Sequence, residues 1–297
     1  MHHDDRRAHQ PETDDGDEVV ADDGCRLATR LSGPVDGEPV VLLHGGPGLP
    51  DYLGDLAALL DDRYRVHRYD QRGAGRSARR RPWTTARFLS DLEALRRAWG
   101  IERMHLVGHS WGAALGLRFA LAHPRRVATL TYLSGVGLEW GLWKATFHSE
   151  HDSRLDPGQR QLARELAALE DPSVAQDAAR LEVLLAADSL DPAPHAVAIT
   201  RMARQLAEAG VNWQLNQELG PDLDADDADY RGLDVPVLVV HGRHDPRPAA
   251  AVASLVETLP RVHQVLLDGG HELWIDAPDE LRTQIVRHME VTRGPRW

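Results

Sequence analysis

A mainly parallel α/β sheet flanked by helices, with an inserted helical block, is the fold that this 297-residue sequence predicts. Three observations carry that expectation. Short apolar segments alternate with amphipathic helical ones, which implies strand–helix–strand crossovers and hence parallel strands. The alternation stops between about Gly135 and Tyr230, where helical stretches follow one another without a convincing strand, and then resumes. Between the apolar run Met104-His105-Leu106-Val107 and the helix-like Ala113–Ala120 stands Gly108-His109-Ser110-Trp111-Gly112, a strand–turn–helix joint with a serine at its tip.

The elements read in order as follows. Val19–Ala21 and Cys25–Leu31 are strands around the turn Asp22-Asp23-Gly24. Pro39–Leu43 is a short, wholly apolar strand, as expected where a sheet is covered on both faces. Leu53, Leu56, Leu59 and Leu60 share one helical face, and Arg65–Tyr69 forms the next strand. Thr85–Trp99 is helical, with Phe88, Leu92, Leu95 and Trp99 as its apolar stripe. The helix after Ser110 ends at His123-Pro124, and Val127–Leu133 supplies another strand. Inside the helical block, Leu155–Leu169, Val174–Ala187 and Ala193–Ala209 are rich in helix formers and separated by Pro- and Gly-containing breaks, and Asp222–Asp229 is a loop-like exit. Val235–Val240 and Val262–Leu267 are the last strands, with helices over Pro248–Thr258 and Pro278–Val291. The expected division is a disordered acidic tail (1–18), a first core segment (19–134), a helical cap (135–230) and a second core segment (231–297).

Hydrophobic residues at 42% and charged residues at 27% are ordinary for a globular chain, and a formal charge of −12 argues against nucleic-acid binding. Arg79-Arg80-Arg81 is followed at once by Pro82 and reads as a solvated loop. Cys25 is the only cysteine, which rules out an intrachain disulfide and fits a reducing cytoplasm. No secretory signal is legible in residues 1–18, and no later apolar run reaches membrane-spanning length. The histidines, His2-His3 included, lack metal-ligand spacing. Neither metal, cofactor nor membrane is therefore expected, and the partner is a small molecule or a short peptide.

A serine hydroxyl is a weak nucleophile near neutral pH and needs a base, which in turn needs a group to orient it. In this topology acid and histidine follow the serine on loops after later strands. Asp245 closes Val239-Val240-His241-Gly242-Arg243-His244-Asp245, and His271 closes Asp268-Gly269-Gly270-His271; Asp268 is the reserve candidate for the acid. His44-Gly45-Gly46-Pro47-Gly48 follows an earlier strand, and the amides of Gly46 and Trp111 are the expected oxyanion donors. Asp70 and Arg72 are expected to brace their loop. Trp140, Trp143, Trp213 and Trp274 are candidates either to line an apolar pocket or to pack the insertion on the core.

Taken together, His44-Gly45-Gly46-Pro47-Gly48, Asp70-Gln71-Arg72-Gly73-Ala74-Gly75-Arg76-Ser77 and Gly108-His109-Ser110-Trp111-Gly112 resemble the proline iminopeptidase family of α/β-hydrolases. Asp91–Arg96, His123-Pro124 and Gly242–Asp245 extend the likeness. The resemblance implies an α/β-hydrolase core with a helical cap and a Ser-His-Asp peptidase releasing N-terminal residues, often proline. It also implies cap carboxylates that hold the substrate ammonium, for which Glu139, Glu150 and Glu218 are candidates by location. The chain departs from the family at His109, where many members carry glycine, a change toward general esterase elbows. The alternatives are an esterase, lactonase or amidase acting on a non-peptide molecule and, in a different class, a non-catalytic binding protein on a hydrolase scaffold.

Overall fold

The computed structural model describes residues 17–223 and 228–291. Its strands are β1 (Glu18–Val20), β2 (Arg26–Ser32), β3 (Glu38–Leu43), β4 (Tyr64–Tyr69), β5 (Met104–His109), β6 (Val127–Leu133), β7 (Val237–Gly242) and β8 (Val262–Leu267). They form one sheet in the order β1-β2-β4-β3-β5-β6-β7-β8. β2 runs antiparallel to β1 and β4, and every pairing from β4 to β8 is parallel. The winding reverses at β3, because β4 lies on one side of it and β5 on the other. Ligands of open α/β sheets bind outside the carboxyl ends of the strands at such a reversal.

Between the strands lie α1 (Gly54–Ala58), α2 (Thr85–Ala98) and α3 (Trp111–Ala122). After β6 come α4 (Trp140–Ser153), α5 (Pro157–Ala167), α6 (Val174–Asp188), α7 (Pro192–Ala209) and α8 (Trp213–Leu219). α9 (Ala249–Thr258), α10 (Leu273–Asp276) and α11 (Pro278–Val291) complete the chain. Alternation along each strand sends neighbouring residues to opposite faces. Val41, Leu43, Leu106 and Val239 pack with Phe88, Leu92, Leu95, Phe119 and Leu255, while Val40, Leu42, Val107 and Val240 pack with Leu53, Leu56, Leu281 and Ile285. Both faces are thus covered, which explains why the strands read as unbroken apolar runs. The inserted helices hold a smaller core of their own, with Leu181 and Leu185 of α6 against Ile199, Ala203 and Leu206 of α7.

The expected strands and helices are present, with local shifts that have local causes. The helix foreseen from Leu155 begins at Pro157, because the Asp156 side chain accepts the Gln159 amide and Gln159 reaches back to the Asp156 amide. β7 begins at Val237 rather than Val235, since Pro236 has no N–H to give to the ladder. α4, α8 and α10 were not foreseen as separate elements; α4 carries Trp, Thr, Phe, His and Ser without a clean apolar stripe. The acidic tail expected over 1–18 lies outside the described residues as far as residue 16, and Glu18 already belongs to β1. Of the exit expected over Asp222–Asp229, residues 224–227 lie outside the described residues.

Candidate active site

Ser110 sits between β5 and α3 with φ 56° and ψ −120°, a conformation that a non-glycine residue rarely holds. What holds it is packing. A Cβ on Gly108 would strike the Gly112 carbonyl, and one on Gly112 would strike the Leu43 carbonyl of β3, so only glycines let strand, turn and helix close this tightly. The Ser110 amide donates to the Leu133 carbonyl at 2.9 Å, pinning the turn to β6. Register then places the other loops. Leu43 pairs with Gly108, so the His44–Gly48 loop leaves the sheet beside Ser110. Gly242 pairs with Leu267, so the loops bearing Asp245 and His271 leave it together.

His271 Nδ1 lies 2.6 Å from Asp245 Oδ2, both side chains being buried. The Asp245 carboxylate accepts there, so the His271 proton is on Nδ1 and Nε2 is the basic nitrogen. Burial alone would raise the Asp245 carboxyl, but the facing His271 and Arg247 outweigh it and hold the group well below the usual carboxylate range. Arg247 donates to Asp245 Oδ1 through its amide at 2.8 Å and its guanidinium at 3.2 Å, and to Asp188 at the end of α6 at 2.9 Å. The His271 amide donates to the Asp188 carbonyl at 2.9 Å. The inserted helices therefore help hold both Asp245 and His271. Asp268, the reserve candidate, points elsewhere; it is exposed and bonded to His244 at 2.8 Å.

A second chain of hydrogen bonds passes through His109. The Gly45 amide donates to Tyr52 Oη at 2.8 Å, the Tyr52 hydroxyl lies 2.7 Å from His109 Nδ1, and His109 Nε2 lies 3.2 Å from the His271 carbonyl. A carbonyl only accepts, so Nε2 carries the proton and Nδ1 accepts from tyrosine. The ring is neutral, in keeping with burial and then the nearby His271, which push its pKa well below the ordinary value. Gln71 braces the same region, donating its amide to His44 Nε2 at 2.9 Å and accepting from Trp111 Nε1 at 3.0 Å. Among the described residues, His109, His271 and Glu272 are the one group whose ligand atoms approach within 4.8 Å of one another. Both nitrogens of His109 and Nδ1 of His271 are already engaged, leaving too few free atoms for a metal shell.

Ser110, His271 and Gly46 line one cavity of about 450 Å³, roofed by α4, α6 and α8. Trp213 is on its wall. The other candidates are not among the lining residues. Trp274 is buried against Tyr52 and His109, and Trp140 packs on Phe147. Trp143 is half-buried on α4, while Glu139 and Glu150 are exposed. Glu218 is taken up by Arg81 at 2.6 Å. Asp70 and Arg72 brace their loops, Asp70 accepting from the Asp51 and Arg76 amides and Arg72 bonding Asp91 and Asp23. The cavity also brings in Glu272, Arg180, Asp188 and Arg247, which the sequence reading missed. Adjacency to His271 and Asp245 was a usable signal for Glu272 and Arg247; nothing in the sequence marked the other two. Burial, then Asp188, raises the Glu272 carboxyl well above the usual range, against the opposing pull of Arg247. A larger hollow of about 770 Å³ lies at the amino ends of the strands, lined by Glu38, Arg65, His67 and Arg103. It has no nucleophile beside a base and sits at the wrong end of the sheet for this fold.

Fold and site together define a class. A model of the alpha/beta hydrolase fold matches residues 38–278, and the chain belongs to the alpha/beta hydrolase fold family. A proline iminopeptidase of Xylella fastidiosa strain Temecula1 is 40% identical over 146 residues, which cover 47% of this chain and 45% of that protein. The chain thus spans about half the length of that relative. A solved hydrolase from Pseudomonas aeruginosa PA01 aligns with TM-score 0.73 at 23% identity, covering 93% of this chain and 99% of that one. An esterase, RhEst1 from Rhodococcus sp. ECU1013, aligns with TM-score 0.72 at 24% identity, over 93% of this chain and 98% of that one. The two structures are alike in fold.

Proposed function

We propose that the chain is a serine hydrolase of the proline iminopeptidase type, releasing N-terminal residues, often proline, from short peptides. The observation that carries this reading is the Asp245–His271 pair at 2.6 Å, on the cavity that Ser110 and Gly46 also line. In the reaction, His271 Nε2 takes the Ser110 proton as Oγ attacks the scissile carbonyl, and Asp245 steadies the imidazolium. The amides of Gly46 and Trp111 receive the oxyanion; among the described residues neither is spent on another hydrogen bond. His271 then protonates the leaving amine as the C–N bond breaks, and water, deprotonated by His271, releases the acyl group from Ser110. Glu272, beside His271 on the cavity wall, receives the substrate ammonium in place of the carboxylates expected in the insertion; the arriving cation offsets the burial and the Asp188 charge that raise its carboxyl, and so returns it to the ionised form. The helices between 135 and 230 serve as the cap. A cytoplasmic setting fits the single, buried Cys25, and among the described residues no helix is long and apolar enough to cross a membrane.

The iminopeptidase relative supports the peptidase reading. His109 at the elbow favours the second reading, an esterase, lactonase or amidase on the same machinery. A panel decides between them. Prolyl and other aminoacyl arylamides should turn over faster than short uncharged acyl esters, and turnover of the esters alone would remove the peptidase assignment. A fluorophosphonate should label Ser110, and folded protein that resists labelling would point to a non-catalytic binder.

A further inference from the structure

Two arginines line the cavity, and they differ in one respect. Arg247 is fully committed to Asp188 and Asp245. Arg180, half-buried on α6, makes no hydrogen bond and no ion pair among the described residues; its guanidinium lies over the Trp213 ring at 3.8 Å. Asp177, about one turn back along its helix, is occupied, accepting Trp213 Nε1 at 2.7 Å. Trp213 is therefore clamped on both counts, ring face to Arg180 and N–H to Asp177. A guanidinium stacked on a ring keeps its N–H edges free in its own plane, where a carboxylate can take two of them at once. Burial lowers the Arg180 pKa from its usual value and outweighs the opposing pull of Asp177, which marks a cation short of solvation. An unpaired, partly desolvated charge costs stability unless something else compensates it.

We infer that Arg180 is the docking point for the C-terminal carboxylate of a di- or tripeptide. The inference rests on the peptidase reading and extends it to substrate length. Glu272, on the core loop, takes the ammonium, and Arg180, on the roof, takes the carboxylate of a peptide lying across Ser110. A peptide held at both charged ends has its length measured by the chamber. Short free peptides then outcompete longer or end-blocked ones.

The test compares prolyl-leucine with prolyl-leucinamide, which share a scissile bond and differ in the terminal carboxylate. For the wild type, kcat/KM should favour the free acid by about tenfold or more, mostly through KM, because the contact is the same in ground and transition states. Arg180→Met should bring that ratio close to one, and Arg180→Lys should keep part of it. A wild-type ratio near one overturns the subsite, and so does an Arg180→Met protein that retains the wild-type ratio. Thermal midpoints show whether the variants fold; should the methionine variant fail, Arg180→Gln replaces it and the wild-type ratio still decides. A prolyl arylamide, which lacks a carboxylate, keeps the two readings apart. If the wild type ignores it, the peptidase reading fails; if it is cleaved while acid and amide behave alike, the subsite alone fails.

Discussion

At Ser110 the backbone is held at φ 56° and ψ −120°, and the surroundings supply the force that keeps it there. Strain of this kind costs on the order of 1–3 kcal/mol and persists only where packing imposes it. Glycine adopts the same conformation freely. Ser110→Gly should therefore raise the urea midpoint, by an amount equivalent to about 1 kcal/mol, while turnover falls by about 10⁴-fold or more. A variant that loses activity without gaining stability would mean that the turn is relaxed as it stands. Ser110, Asp245 and His271 could be singled out in the sequence because each stands just past a strand end, Ser110 after β5, Asp245 after β7 and His271 after β8. Choosing Asp245 over Asp268 needed coordinates, since both lie within a few residues of a strand terminus. Of the two, Asp245 is the one that meets His271, at 2.6 Å, while the exposed Asp268 is bonded to His244.

The elements meet at Arg247. Its guanidinium joins the loop after β7 to the last residue of α6 and lies over Phe147 of α4, 4.6 Å from the ring centre. Breaking a buried ion pair from one side leaves charges without partners and costs about 3–5 kcal/mol. Arg247→Met should lower stability by roughly that much. It should also reduce kcat more than a distant destabilising substitution of equal cost, because Asp188 and Asp245 lose their common partner. Comparison with such a control at a temperature where both are folded is the measurement. At this scale most elements were readable from periodicity and caps, and the errors were of one kind. Asp156 and Pro236 set boundaries through hydrogen bonding rather than hydrophobicity, and α4 escaped because its buried side, with Trp140 and His151, makes no regular stripe.

For the molecule as a whole, acid should be the weak point. Burial pushes His67 down to about 4, with Arg65 adding to the effect, and burial also pushes His288 down to about 4. The folded protein thus refuses protons that the unfolded chain takes up below about pH 6.5. The stabilisation is complete above that pH and is lost as pH falls toward 4, on the order of 3 kcal/mol for each histidine at most. Urea midpoints at pH 7, 5.5 and 4 should fall steadily, and His67→Gln should flatten the slope; a flat profile in the wild type would refute the account. Asp245 adds to this trend only at lower pH: its carboxyl is held below the usual range by His271 and Arg247 despite burial, so its stabilisation is lost once pH falls below about 4, where the unfolded chain takes up the proton first. Composition, the order of elements along the chain and the elbow are local properties, and local chemistry wrote them into the sequence. The furnishing of the cavity is different. Which of Trp140, Trp143, Trp213 and Trp274 faces Ser110, and whether Arg180 keeps its charge unpaired, depends on how α4 to α8 rotate and lie over the sheet. Packing between segments far apart in the chain sets those rotations, so only the tertiary structure decided them.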